Sequence, residues 1–125
     1  MTTRKDLSEA ESQQGGNTDL MRAALAGDLQ KTKLLLVNGA DPNETNKEGL
    51  TALMFAVVNS NYDCVQALVG HGADINVRDK DSDTPLSLAI SSDDEKLGQL
   101  LLGRGARMSE GDKELSKSAN ITNQI

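Results

Sequence analysis

The chain has 125 residues, a net charge of −6, one cysteine and only two aromatic residues, Phe55 and Tyr62. A lone cysteine rules out an internal disulfide framework and suits a reducing setting. No run of about 18 apolar residues is present and the N-terminus has no apolar signal core, so neither a membrane span nor a secretory leader is expected, and the cytoplasm is the expected location. Nucleic acid is disfavoured as a partner, because phosphates call for clustered Lys and Arg and bases call for stacking aromatics.

Residues 1–16 are polar and end in Gly15-Gly16, and they are expected to form a tail. DLSEAESQ within it could form a turn of helix over the first helical unit. The first helical stretch is TDLMRAAL from Thr18, followed by LQKTKLLLVNG. NKEGLT then reads as a tight turn. Thr51 is a good N-cap, since its hydroxyl can accept from a free backbone N–H in the first helical turn. ALMFAVVN gives about two helical turns, SNYD breaks the run, and CVQALVGHG places Val65, Leu68 and Val69 on one face. Gly72 ends that helix in an expected left-handed conformation. DKDSDT forms the next turn, and Thr84-Pro85 is a clean helix start because proline at the first position gives up only an unneeded donor. PLSLAISS and KLGQLLLGRG complete the set. Beyond them, SEGDKELSKSANITNQI has few apolar anchors, and Met108 with Leu115 could cover the last unit.

These pieces repeat. Gly39, Gly72 and Gly105 lie 33 residues apart, and so do Thr18, Thr51 and Thr84. Leu20, Leu53 and Leu86, and Ala23, Ala56 and Ala89, keep the same interval. Self-similarity at this period means a stacked array with one supersecondary unit per copy. No helix pair buries its apolar face alone. Leu35, Leu68 and Leu101 are therefore expected in equivalent interior places, supplied by stacking.

The residues Thr84-Pro85-Leu86, Thr51-Ala52-Leu53 and the GAD segments resemble the ankyrin repeat. The resemblance implies an all-α ankyrin-repeat solenoid of helix-turn-helix units with projecting β-turn fingers. Three repeats span 17–112 (about 17–45, 46–78 and 79–111), between an N-terminal tail at 1–16 and a C-terminal tail or short capping helix at 113–125. The chain departs from the family pattern in several columns. Met21, Met54 and Ser87 replace the family's histidine, which normally helps link repeats. Ser60 and Asp93 stand where Gly27 marks the turn between helices, and Ser82 stands where Gly49 marks the finger. Gly98 occupies an outer-helix core position, and Arg22 and Lys31 put charge where internal repeats are apolar, as capping substitutions would.

No catalytic constellation stands out. His71 is the only histidine and has no partners at ligand or acid–base spacing. Cys64 reads as a packing thiol. The acidic run Asp79–Asp83 lacks the glycine and glutamate of a calcium loop. Asp93, Asp94 and Glu95 read as a solvated turn rather than a carboxylate pair for glycoside hydrolysis. Asn120-Ile121-Thr122 matches a glycosylation pattern by chance. The resemblance implies that Asn43 and Asn76 sit where some eukaryotic ankyrin asparagines are hydroxylated. No cofactor or metal is expected, and the chain is read as non-enzymatic.

The resemblance further implies that the fingers and the concave inner-helix face grip another protein. By column the contact residues are Lys47, Glu48 and Leu50, then Arg78, Lys80, Asp81 and Asp83, with Val58, Asn59, Ser91 and Ser92 on the inner-helix face beside Leu25. Leu50 is expected as an exposed apolar tip. The expected role is a monomeric, free-standing binding protein that regulates, neutralises or inhibits one partner, and the acidity favours a partner with a basic surface. The other reading is an accessory subunit or host-directed effector adaptor that recruits or positions an enzyme.

Overall fold

A computed structural model describes residues 16–108. Six helices form three pairs: α1 (Asp19–Ala26) with α2 (Leu29–Val37), α3 (Ala52–Val58) with α4 (Tyr62–Gly70), and α5 (Pro85–Ser91) with α6 (Glu95–Gly103). The described residues contain no strand. None of these helices is long and apolar enough to cross a membrane. The two tails expected from the sequence, with Leu115 and Asn120, lie outside the described residues, apart from Gly16.

Each inner helix starts at a threonine. The hydroxyls of Thr18, Thr51 and Thr84 accept from the amides of Met21, Met54 and Ser87 at 3.1, 3.3 and 3.1 Å. These bonds satisfy donors that the first helical turn leaves open. Ser87 returns the bond, its hydroxyl accepting from the Thr84 amide at 2.8 Å, and Pro85 follows at the first helical position. Asp28 and Asp94 cap α2 and α6 in the same way, through the Lys31 and Leu97 amides. Asn61 holds the equivalent place before α4 and makes no such cap. Its side chain is used elsewhere.

Inner helix packs on inner helix, α1 on α3 and α3 on α5, and α2 lies on α4. One apolar cluster runs through all three pairs, including Leu20, Leu53 and Leu86 from the inner helices and Cys64, Val65, Leu68, Leu97 and Leu101 from the outer ones. Leu68 and Leu101 are fully buried, whereas Leu35 is only half-buried and Leu36 takes the covered place in its pair. The cause is position in the stack: among the described residues α2 has no pair packed on its preceding side, whereas α4 and α6 each follow one. The same asymmetry explains Lys31, which is exposed while its equivalents Cys64 and Leu97 are buried. Arg22 lies on the same end, paired with Asp19 and donating to the Asn17 carbonyl.

The backbone keeps the period as strictly as the side chains do. Every described residue with positive φ falls in one of three columns: Gly16, Gly49 and Ser82; Gly27, Ser60 and Asp93; Gly39, Gly72 and Gly105. Ser60, Ser82 and Asp93 hold φ of 54°, 66° and 62°, values that favour glycine and strain most other side chains. The chain bends left-handed at these points because the repeat geometry requires it, whatever residue is present.

Candidate functional site

Two loops project where fingers are expected, and each is tied by its first side chain. Asn46 Oδ1 accepts from the amides of Glu48 and Leu50, both at 2.9 Å, and the Asn46 amide donates to the Leu50 carbonyl at 3.0 Å. Asp79 Oδ1 accepts from Asp81 and Asp83 at 2.9 and 2.8 Å, and the Asp79 amide donates to the Asp83 carbonyl at 2.9 Å. The loops are joined by a bond from the Lys80 amide to the Glu48 carbonyl, 2.9 Å. Close approach needs Gly49: a Cβ there would lie 3.0 Å from both Asp79 Cα and Lys80 N.

This arrangement sorts the expected contact residues. Lys47, Glu48, Arg78, Lys80 and Asp81 are exposed on or beside the loops. Leu50 is not an exposed tip. It is half-buried, because both its backbone groups are held by Asn46 and the next residue, Thr51, is buried. Asp83 is half-buried for the same reason and also accepts from the Ser87 hydroxyl at 3.4 Å. Both belong to the finger base. The oxygens of Asp79, Asp81 and Asp83 lie within 4.8 Å of one another, but one Asp79 oxygen is already committed to two amides, so the trio acts first as a loop closure.

On the inner-helix face Val58, Asn59, Ser91 and Ser92 are all exposed. Leu25 and Val58 are 39% and 42% exposed, high for large apolar residues in a packed stack, and they occupy the same place in consecutive repeats. Asn59 Nδ2 donates to the Leu25 carbonyl at 2.7 Å, which fixes the two helix ends side by side. Ser91 replaces the apolar residue in the third repeat, so the apolar strip covers the first two.

Cross-repeat hydrogen bonds come from residues that the sequence reading did not assign to linking repeats. Asn43 Nδ2 donates to the Gly72 carbonyl at 3.1 Å, and Asn43 Oδ1 accepts from the Asp74 amide at 2.6 Å. Asn76 repeats the pattern one unit on, with Gly105 at 3.1 Å and the Arg107 amide at 2.8 Å. Asn61 Nδ2 donates to the carbonyls of Ala24 and Leu25 at 2.7 and 3.2 Å. Asp94 inverts that chemistry: its carboxylate accepts from Ser60 Oγ at 2.5 Å and from Tyr62 Oη at 2.8 and 3.0 Å. Met21 and Ser87, in the column where a histidine was expected, bond within their own repeats.

The remaining reactive side chains are occupied. Burial alone would raise the Asp94 carboxyl, but the hydroxyls of Ser60 and Tyr62, the Leu97 amide and nearby Lys96 carry it below the usual carboxylate range. The same hydrogen bond raises Tyr62, whose ring also lies 5.2 Å beneath the Lys96 ammonium. Burial pushes the Cys64 thiol up; the Thr32 hydroxyl 3.7 Å away opposes this, and Asp63 and Asp28 add to it. A thiol held protonated in the core is a poor nucleophile. His71 Nδ1 lies 3.0 Å from the Ala67 carbonyl, at an exposed helix end.

A family model described as ankyrin repeats, in three copies, matches residues 20–112. No curated protein matches the chain.

Proposed function

Because this chain belongs to the ankyrin-repeat family, whose repeats are protein-binding modules, we propose that it binds one partner protein across the inner-helix face and the two fingers, and regulates or inhibits that partner by occupying it. The observation that carries this reading is the pair Leu25 and Val58, apolar, exposed and adjacent across a repeat boundary. Apolar side chains at the centre of a contact, ringed by polar ones, supply most of the binding energy in protein interfaces. Here the ring is Asn59, Ser91 and Ser92 at the helix ends and Lys47, Glu48, Arg78, Lys80 and Asp81 at the loops. The fingers precede the inner helices and Leu25 and Val58 lie near their far ends, so a partner touching both spans roughly 10 Å along the helix axes. The chain as a whole carries a net charge of −6, which draws a basic partner from a distance, while the ring itself holds three cations and two anions and calls for charges of both signs on the surface facing it. A monomeric, cytoplasmic protein is the setting proposed for this contact, and Cys64, free and buried, suits a reducing one.

The test begins with capture of the partner on the full chain and its identification by mass spectrometry. Two double variants then report on the surface: Leu25→Arg with Val58→Arg, and Lys80→Glu with Asp81→Lys. The first pair should weaken binding by about 30-fold or more, as loss of a central anchor does. The second should slow association and alter its salt dependence. Unchanged affinity in both, with the fold intact by circular dichroism, would show that the partner sits elsewhere.

A further inference from the structure

The most exposed large apolar side chains among the described residues are not on the inner-helix face. Leu34 and Val37, 61% and 72% exposed, stand three residues apart on α2, at the end of the stack where no described repeat packs. A shallow groove there is lined by Leu29, Lys31, Lys33, Leu34 and Val37. The corresponding flank is better covered in the other repeats: Cys64 and Leu97 are buried where Lys31 is exposed, and Ala67 and Leu100 are half-buried where Leu34 is exposed, although Gly70 and Gly103 are exposed in the column of Val37.

We propose that residues 1–15 of this chain are the occupant of this flank, with Leu7 and Ala10 against Leu34 and Val37. Three observations support it. First, the stack itself gives the path. Asn43 reaches the Gly72 carbonyl at the end of the next outer helix, and Asn76 reaches Gly105 likewise. Moved back by one period, a chain following the same path would bring residue 10 toward Gly39, two residues from Val37, by backbone course alone, since Ala10 has no side-chain amide to repeat the bond. Second, the chain enters from the right place: Gly16 turns left-handed, φ 77°, against the backbone of Asn46 and Lys47 at the finger end of the first repeat. Fifteen residues spanning up to about 50 Å reach α2 from there with length to spare. Third, the charges complement each other. Asp6, Glu9 and Glu11 flank Leu7 and Ala10, with the cations Arg4 and Lys5 confined to the far side of Asp6, while Lys31 and Lys33 are exposed and form no ion pair among the described residues. A second copy of the chain laid on the same flank would instead set lysines against lysines.

A nitroxide at Ser8→Cys in the full chain, with Cys64→Ala to remove the native thiol, tests this by paramagnetic broadening of methyl resonances. The Leu34 and Val37 methyls should broaden to the same degree at every protein concentration, while Leu53 in the core of the second repeat should not. Leu7→Asp, or Lys31→Glu with Lys33→Glu, should restore the signals, and added salt should do so in part. Methyls that stay sharp overturn the proposal. So does broadening that appears only when labelled chains are mixed with isotope-labelled, spin-free ones, because the occupant would then be a second copy. Broadening that survives Leu7→Asp and the lysine changes overturns the stated contact.

Discussion

Ser82 holds a left-handed backbone in the column that Gly16 and Gly49 share, and no hydrogen bond from its side chain to another described residue offsets the strain. Ser82→Gly should therefore stabilise the fold by about 0.5–1 kcal/mol, less than the full left-handed penalty because glycine also gains freedom in the unfolded chain. Gly49→Ala runs the other way. It combines φ of 82° with a Cβ 3.0 Å from the next finger, and should cost about 1–3 kcal/mol. Urea denaturation of the two variants checks both signs. Asn43→Ala removes two cross-repeat bonds at the surface and should cost about 1–2 kcal/mol by the same measurement. The left-handed columns were legible in the sequence because two of the three keep at least one glycine as a marker in finger or turn, and the third keeps all of its glycines. The asparagine ladder was not legible as structure. Its partners lie 29 to 31 residues away and are backbone groups, which leave no trace in residue type.

At the level of helices, the 33-residue period and the threonine caps announced all six elements, and the caps form as expected. Burial depended on more than the period. Leu35 and Leu68 share a column, yet of the two only Leu68 follows another helix pair among the described residues, as the equally buried Leu101 does. Leu68→Ala should cost about 2–5 kcal/mol, the range for a fully enclosed leucine, and Leu35→Ala distinctly less. Equal losses in thermal or urea unfolding would mean that Leu35 is as well packed as its counterpart. Leu50 was misjudged from the sequence for a related reason. Its column suggests a free tip, but the side chain of Asn46 draws its backbone in, and that capture depends on a fold in the loop rather than on any repeat signal.

Across the described residues, the two junctions between repeats share the asparagine bonds of the linkers but use opposite chemistry at the turns between helices. The second rests on the Asp94 carboxylate, so its strength follows pH. A carboxyl held below its ordinary value contributes stability above about pH 4 that is lost as pH falls through the lower folded value. Tyr62, raised by the same contact, contributes below about pH 10 and loses that contribution as pH rises through its folded value. Urea midpoints measured across pH should fall at the acid limb, and Asp94→Asn should flatten that limb while lowering the midpoint near neutrality. An acid limb unchanged in Asp94→Asn would place the sensitivity elsewhere. The opposed junctions also give the array an address for each unit. Asn61 presents amide hydrogens to the carbonyls of Ala24 and Leu25, whereas Asp94 presents only oxygens and needs the hydroxyls of Ser60 and Tyr62. Were the middle unit excised, Asp94 would meet those carbonyls oxygen to oxygen, with Gly27 and Leu29 where the hydroxyls had been. Loss of the middle unit is therefore opposed by chemistry: the excision that the period would allow sets a carboxylate against carbonyl oxygens at the seam.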